Sequence, residues 1–367
     1  MPSRRSSDGS NRQRGLSRTL RTFVGAALAL GVTSCDGKSA AAAAALNSSS
    51  GSAKFAEVSP GIGYANERVA EVPWSIHIAR VDRTGPEISI HSVHAQRRAL
   101  GLGPLSEQVR ELPAAFGIPV AAVNGDFYQR DRAYAGDPRG LQIVEGELLS
   151  APNGGAVFWT DAAGQPHATN IVSRFQASWP DGTITPFGLN QECRPDAVVL
   201  YTPAVGASTR TSSGRELILA PQGEVAGVPI RSDLDFAAQV QEVREGGDTA
   251  LRSGSLVLSV GPALAKKLPR VAVGAVVRIS TATSVGLRGA GTALGGGPVL
   301  VRNGKRQKIA PPPGGAYEFS SMLERHPRTA VGWDPHYFYL IEVDGRQEGL
   351  SVGMTLDELA AYMIQLG

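Results

Sequence analysis

Cysteine is nearly absent from this chain: 367 residues carry two, Cys35 and Cys193. Two distant thiols make no disulfide framework, so the core holds by packing alone, which this length allows. Aromatic residues are sparse at 6 %. No apolar run reaches the ~20 residues of a membrane-spanning helix. The most apolar early stretch is Thr22–Val32, and it is far shorter. The six histidines are scattered, and His91 and His94 have a spacing that suits neither one strand face nor a helical metal pair. No metal site and no cofactor is therefore expected. The net charge of +3 depends on the first 34 residues, where six arginines face one aspartate. Setting those aside, the 36 basic and 33 acidic residues reduce to a balance of −2. Such a chain offers no general attraction to nucleic acid.

The basic start, the short apolar run and the small residues after it have the layout of a secretory signal. Val32-Thr-Ser-Cys35 resembles a bacterial lipobox, which makes Cys35 the expected lipid anchor. The expected location is the bacterial envelope, with the membrane as a partner through that lipid. Residues 1–34 are read as the signal. Residues 35–54, an Ala tract followed by a Ser/Gly tract, are read as a flexible tether. One domain is expected over 55–367.

Glycine (44) and proline (24) are plentiful, as in a protein of many short strands and loops. Trp74–Ala79 and Glu87–Val93 alternate apolar and polar residues, as half-buried strands do. Pro119–Val123 reads as a buried strand. Further strands are expected at Ala197–Tyr201, Glu216–Leu219, Ser255–Ser259, Val271–Ser280 and, most clearly, Tyr337–Val343. Leu105–Leu112 reads as a short helix. The clearest helix starts at Thr355-Leu-Asp-Glu358, a capping box, with Leu356, Leu359, Ala360 and Met363 on one face. Many strands, few helices and no strict βαβ alternation predict an α+β fold, with a mixed, mostly antiparallel sheet core and a few packed helices.

Four segments carry polar residues in suggestive places. Asn124-Gly-Asp-Phe-Tyr128 follows a predicted strand. It is either a plain turn or a pocket rim where Asn124 and Asp126 meet sugar hydroxyls and Phe127 packs on the ring. Asp137-Pro-Arg-Gly140 places Arg139 either on an anion or at the surface. Gly295–Gly297 either exposes N–H groups to an anion or makes a bend where another backbone approaches. It lacks the Lys-Ser/Thr of a nucleotide loop. His326-Pro-Arg-Thr-Ala-Val-Gly332 puts Arg328 at a strand start, either facing a ligand or paired with Glu324 or Glu318. Asp344-Gly-Arg346 ends the best strand as a rim carboxylate or an ordinary turn.

The stretch from Arg328-Thr-Ala-Val-Gly332 through Val343-Asp-Gly-Arg346 to Ser351–Leu359, together with Asn124–Tyr128, resembles the phosphodiester glycosidase family. The resemblance runs from about Phe116 to Gly367. It implies a largely β domain and hydrolysis of the glycosidic bond of a sugar 1-phosphodiester, such as a GlcNAc-1-phosphate diester or a related envelope polysaccharide. It assigns Asp126, Arg328 and Asp344 to catalysis. Asn124, Phe127, Arg139, Thr329 and Arg346 become substrate contacts, with Arg328 and Arg139 on the phosphate and Asp126 or Asp344 as the carboxylate. Asp126 stands where the family more often has glycine. The family follows its last helix with an Asp-Gly-Gly-Gly-Ser loop, and this sequence stops at Gly367. The expectation is thus a domain incomplete at that end, with a non-catalytic glycan-binding lipoprotein or inactive fragment as the alternative.

Overall fold

The computed structural model describes residues 53–85, 88–97, 99–130, 133–223, 229–311 and 320–367, all within the unit Ala41–Gly367. The signal segment, Cys35 and nearly all of the tether lie outside them, as does Glu318.

Three main sheets build the fold. The first has the order β1 (Ala56–Ser59), β2 (Ile62–Val69), β3 (Trp74–Asp82), β20 (Tyr337–Val343) and β19 (Arg328–Trp333), all antiparallel. It joins the start of the described chain to its end. The second has eight strands: β10 (Gly188–Leu189), β11 (Val198–Tyr201), β14 (Leu256–Val260), β12 (Arg215–Pro221), β13 (Asp235–Glu245), β15 (Val276–Ser280), β8 (Gln176–Ser178) and β9 (Ile184–Pro186). Its β10–β11 pair is parallel, which makes the fold mixed. The third has the order β5 (Glu147–Ser150), β4 (Gln142–Val144), β16 (Thr292–Gly295), β6 (Asn153–Thr160) and β7 (Pro166–Val172). A small ribbon pairs β17 (Val301–Arg302) with β18 (Lys305–Arg306). Among the described residues four short α-helices complete it: α1 (Leu105–Arg110), α2 (Pro262–Ala265), α3 (Ser320–Leu323) and α4 (Leu356–Leu366). This is the α+β, mainly antiparallel architecture expected.

The second and third sheets share one core, in which Ile143, Val157 and Ile171 meet Leu200, Leu217, Leu258 and Val277. The first sheet has its own core against α4, where Trp74, Ile76, Ile78, Ile341 and Val343 pack on Leu356, Leu359 and Tyr362. On its opposite face, Ile62, Val81 and Phe338 pack with Phe158 and Trp333, which ties the first sheet to β6. The α4 capping box forms: Thr355 Oγ1 accepts the Glu358 N–H at 3.1 Å, and Glu358 Oε2 accepts the Thr355 N–H at 2.9 Å. Tyr362 adds an anchor to the predicted apolar face by donating its hydroxyl to Glu67 Oε2 on β2 at 2.6 Å.

Two expected strands do not form. Residues 88–93 have no strand pairing, and neither does Pro119–Val123. The latter is not buried: Val120 is 50 % exposed, and Ile118 just before it 89 %. A strand is completed by a ladder partner, and an apolar run alone supplies none. Val271–Ser280 shortens to Val276–Ser280, because Ala272 to Ala275 form a turn closed by Ala275 N–H to Ala272 O.

Candidate active site

The extended run 119–123 delivers the chain to a sharp turn. Gly125 packs closely there: a Cβ would lie 2.1 Å from Leu294 Cδ2, so the Leu294 side chain would have to move. Asp126 then takes a left-handed conformation, φ 54°, which explains why glycine suits this position. Its side chain offsets that strain. Oδ1 accepts the Phe127 N–H at 2.6 Å, and Oδ2 accepts the Gly140 N–H at 2.9 Å. Phe127 O in turn accepts the Arg139 N–H, and Asp137 O accepts the Gln129 N–H, so 127–129 and 137–139 run side by side.

This pairing brings a second carboxylate close. Burial pushes the Asp126 carboxyl up to about 6, against the pull of its two backbone donors and the Arg139 charge. Burial pushes Asp137 up to about 8, helped by the charges of Asp126 and Glu192. Burial is the first cause of both shifts, and the Asp126 charge adds to that of Asp137. Asp137 was not among the expected site residues; its place in the Asp-Pro-Arg-Gly segment was the available signal.

Gly295 shows the close-approach behaviour of a bend. A Cβ there would lie 2.7 Å from Asp126 Oδ2 and 2.9 Å from Gly140 Cα. The glycine is the clearance that lets Asp126 sit where it does.

A cleft of about 2450 Å³ opens beside this turn. Asn124, Asp126 and Phe127 line it, and so do Arg328 and Thr329 from β19. Asp344, Arg346 and Arg139 are not among its lining residues. Phe127 and Tyr128 are 43 % and 45 % exposed at its rim.

Among the described residues, Arg328 is anchored by backbone rather than by an acidic side chain. Its Nε donates to Met354 O (2.8 Å), and Nη2 donates to Ser321 O (2.6 Å) and Glu324 O (2.7 Å). Burial, and then the charge of Arg346, lower its pKa. The Glu324 carboxylate pairs instead with His326 Nε2 at 3.2 Å.

Beyond the cleft, the first sheet ends in a polar group. Asp344 follows β20, and its N–H donates to Ser75 O at 3.0 Å. Its carboxyl is held below the usual range first by the Ser75 hydroxyl and then by His77. Arg346, at φ 58°, places Nη2 3.0 Å from His326 Nδ1. Thr329 sits directly across from Glu342, and Glu342 directly across from His77. The segment Gly349-Leu-Ser-Val-Gly353 has the spacing of a nucleophile elbow. Ser351 is fully buried, however, and its hydroxyl donates to Asp344 O at 2.6 Å and accepts the Ser75 N–H at 3.2 Å. It braces the loop and is no nucleophile.

Residues 240–367 match the phosphodiester glycosidase family. The matched stretch runs from within β13 to the end of α4. It contains Arg328, Thr329, Asp344 and Arg346, whereas the Asp126–Asp137 turn lies before it. The phosphodiester glycosidase match therefore supplies one wall of the cleft. Two solved structures share the fold. One is a hypothetical protein from Synechocystis, with a TM-score of 0.65 and 20 % identity, covering 86 % of this chain and 56 % of that one. The other is a candidate exported protein from Burkholderia pseudomallei, with a TM-score of 0.57 and 20 % identity, covering 82 % of this chain and 67 % of that one. This chain thus spans little more than half of the Synechocystis protein. No curated protein matches it.

Proposed function

We propose that this protein is a glycosidase-type hydrolase that cleaves the glycosidic bond of a sugar 1-phosphodiester. The observation that carries the reading is the phosphodiester glycosidase match over residues 240–367, whose β19 lines the same cleft as the Asp126 turn. A phosphomonoester leaves far more readily than an alkoxide, so little acid assistance is needed at the leaving oxygen. The remaining work is to orient the sugar, stabilise positive charge at the anomeric carbon and activate water. Asn124 suits the hydroxyls, and Phe127 suits the C–H face of the ring. Asp126, which lines the cleft and is pushed up to about 6 by burial, is ionised at neutral pH and fits the role of taking a proton from water. Arg328, committed to three carbonyls, shapes the β19 wall.

The test is turnover of a GlcNAc-1-phosphate diester by the full chain, read as release of free sugar. Turnover that is lost in Asp126→Asn supports the reading; a full chain that releases no sugar from a panel of sugar 1-phosphodiesters overturns it. The anchoring of Arg328 and the exposed Phe127 and Tyr128 favour a second reading, a glycan-binding protein without turnover, which binding without release would establish. The proposed setting is the bacterial envelope, with export and a lipid on Cys35. Mass spectrometry of the amino terminus checks this, since a chain beginning upstream of Cys35 or carrying no acyl group there excludes it.

A further inference from the structure

We propose that His77, Glu342 and Asp344 form a binding site for a divalent transition-metal cation of the zinc and manganese class. The site stands on its own geometry and does not depend on the sugar reading. Ile76 and Ile78 point into the α4 core, so His77 between them points to the opposite face of the sheet. The β3–β20 register places Glu342 directly opposite His77. Asp344, two residues further on, projects to the same face. The donor atoms of the three side chains all lie within 4.8 Å of one another. His77 Nε2 and Asp344 Oδ2 are 3.2 Å apart. Two ligands on a tetrahedral ion with bonds of about 2.0–2.1 Å stand roughly 3.3 Å apart. That edge of the coordination polyhedron is therefore already formed, and a Glu342 carboxylate oxygen lies within 4.8 Å of a ligand atom of each of the other two.

The support around the imidazole is what a metal ligand requires. The Tyr64 hydroxyl lies 2.6 Å from His77 Nδ1. In the metal-free protein Nε2 lies 3.2 Å from Asp344 Oδ2, where an Nε2–H donates to the carboxylate, and an incoming ion would replace that proton while the Nδ1–H passes to Tyr64. Tyr64 and Asn66, whose Nδ2 lies 3.3 Å from both ring nitrogens, hold the ring in orientation and are not themselves ligands of the set. One nitrogen and two carboxylates suit zinc or manganese, whereas calcium takes an all-oxygen shell. The His77 and Asp344 side chains are 34 % and 22 % exposed, so an ion can enter and keep a water ligand. Nearby, Arg68 donates Nε to Asn66 Oδ1 at 3.2 Å, and Gln347 Nε2 donates to Asp344 Oδ1 at 3.3 Å, which leaves Asp344 Oδ2 facing His77. Arg68 is within electrostatic reach of Asp344 and competes with the ion there.

The experiment is calorimetric titration of Zn²⁺, Mn²⁺ and Ca²⁺ into the chelator-stripped full chain. The expected result is one zinc or manganese ion per chain. Affinity should fall at least tenfold in His77→Ala and in Glu342→Gln, and about tenfold in Tyr64→Phe, whose hydroxyl only orients the ligand. The ion should also raise the Tm of the parent chain and leave that of Glu342→Gln unchanged. If His77→Ala does not fold, Tyr64→Phe and Glu342→Gln decide the question. Absence of saturable binding, equal affinity in the folded variants, or calcium binding as tight as both transition ions would overturn the proposal.

Discussion

Asp126 Oδ2 accepts the backbone N–H of Gly140 at 2.9 Å, so one carboxylate locks its own left-handed turn to the loop that carries Asp137. Both acids are half-buried around this turn. Burial lifts Asp126 to about 6 and Asp137 to about 8. In the unfolded chain both ionise near ~3.9. Between roughly pH 4 and 8 the folded state then binds more protons than the unfolded state. Stability should fall as pH rises through that window and level off above it. Asp137→Asn should flatten the decline. A pKa unit corresponds to ~1.4 kcal/mol, so even a shift discounted to one unit for solvent screening makes the variant more stable than the parent at pH 8 by about 1 kcal/mol. Urea melts at pH 5 and pH 8 check this, and a parent stability that rises between them contradicts it.

The same pair sets a kinetic expectation. If hydrolysis needs Asp126 ionised, to take the proton from water, and the neighbouring Asp137 protonated, kcat/KM should trace a bell with limbs near 6 and 8. Asp137→Asn should remove one limb. A profile unchanged by that substitution assigns the chemistry elsewhere.

Arg328 holds three carbonyls from α3, its following turn and the loop before α4. Arg328→Ala leaves them without their charged donor, at an expected cost of about 2–3 kcal/mol. Arg328→Lys should recover little, because a single ammonium cannot span the guanidinium fork. Chemical denaturation measures the cost. A loss of activity in Arg328→Lys with stability intact would return Arg328 to the direct phosphate role expected from sequence.

Thr355 caps α4, the helix that covers Ile76, Ile341 and Val343. Thr355→Ala should lower stability by about 1 kcal/mol, while Thr355→Ser should be nearly neutral. Thermal melts of the two variants separate the hydroxyl from the methyl group.

Local signals made some elements legible and left others hidden. Tyr337–Val343 appears at the bounds read from sequence and Leu356–Leu366 starts where it was read to start, because an aromatic and β-branched run and a capping box act within a few residues. Pro119–Val123 carries the same apolar signal and forms no strand, because pairing depends on a partner the local sequence does not specify. The site divides the same way. Asn124–Tyr128 was readable as a turn with an acid and an aromatic. Asp137 was not, since its high pKa arises from burial and from Asp126 across a hairpin. His77 and Asp344 lie 267 positions apart, and their meeting is a consequence of β3–β20 register. Histidine spacing along the chain cannot report it.

Phe127 separates binding from chemistry. It is exposed at the cleft rim, one residue from the carboxylate whose oxygen accepts its N–H. Phe127→Ala keeps that backbone hydrogen bond and removes only the ring. If the ring packs on the sugar face, the variant should raise KM or the glycan Kd by about tenfold, the equivalent of 1.4 kcal/mol, with a smaller change in kcat. Asp126→Asn should do the reverse, lowering kcat with little effect on sugar affinity. Steady-state kinetics on both variants, with binding measured on the inactive one, distinguishes the two roles. A Phe127→Ala protein that loses kcat at unchanged KM would show that the ring positions Asp126 rather than the sugar.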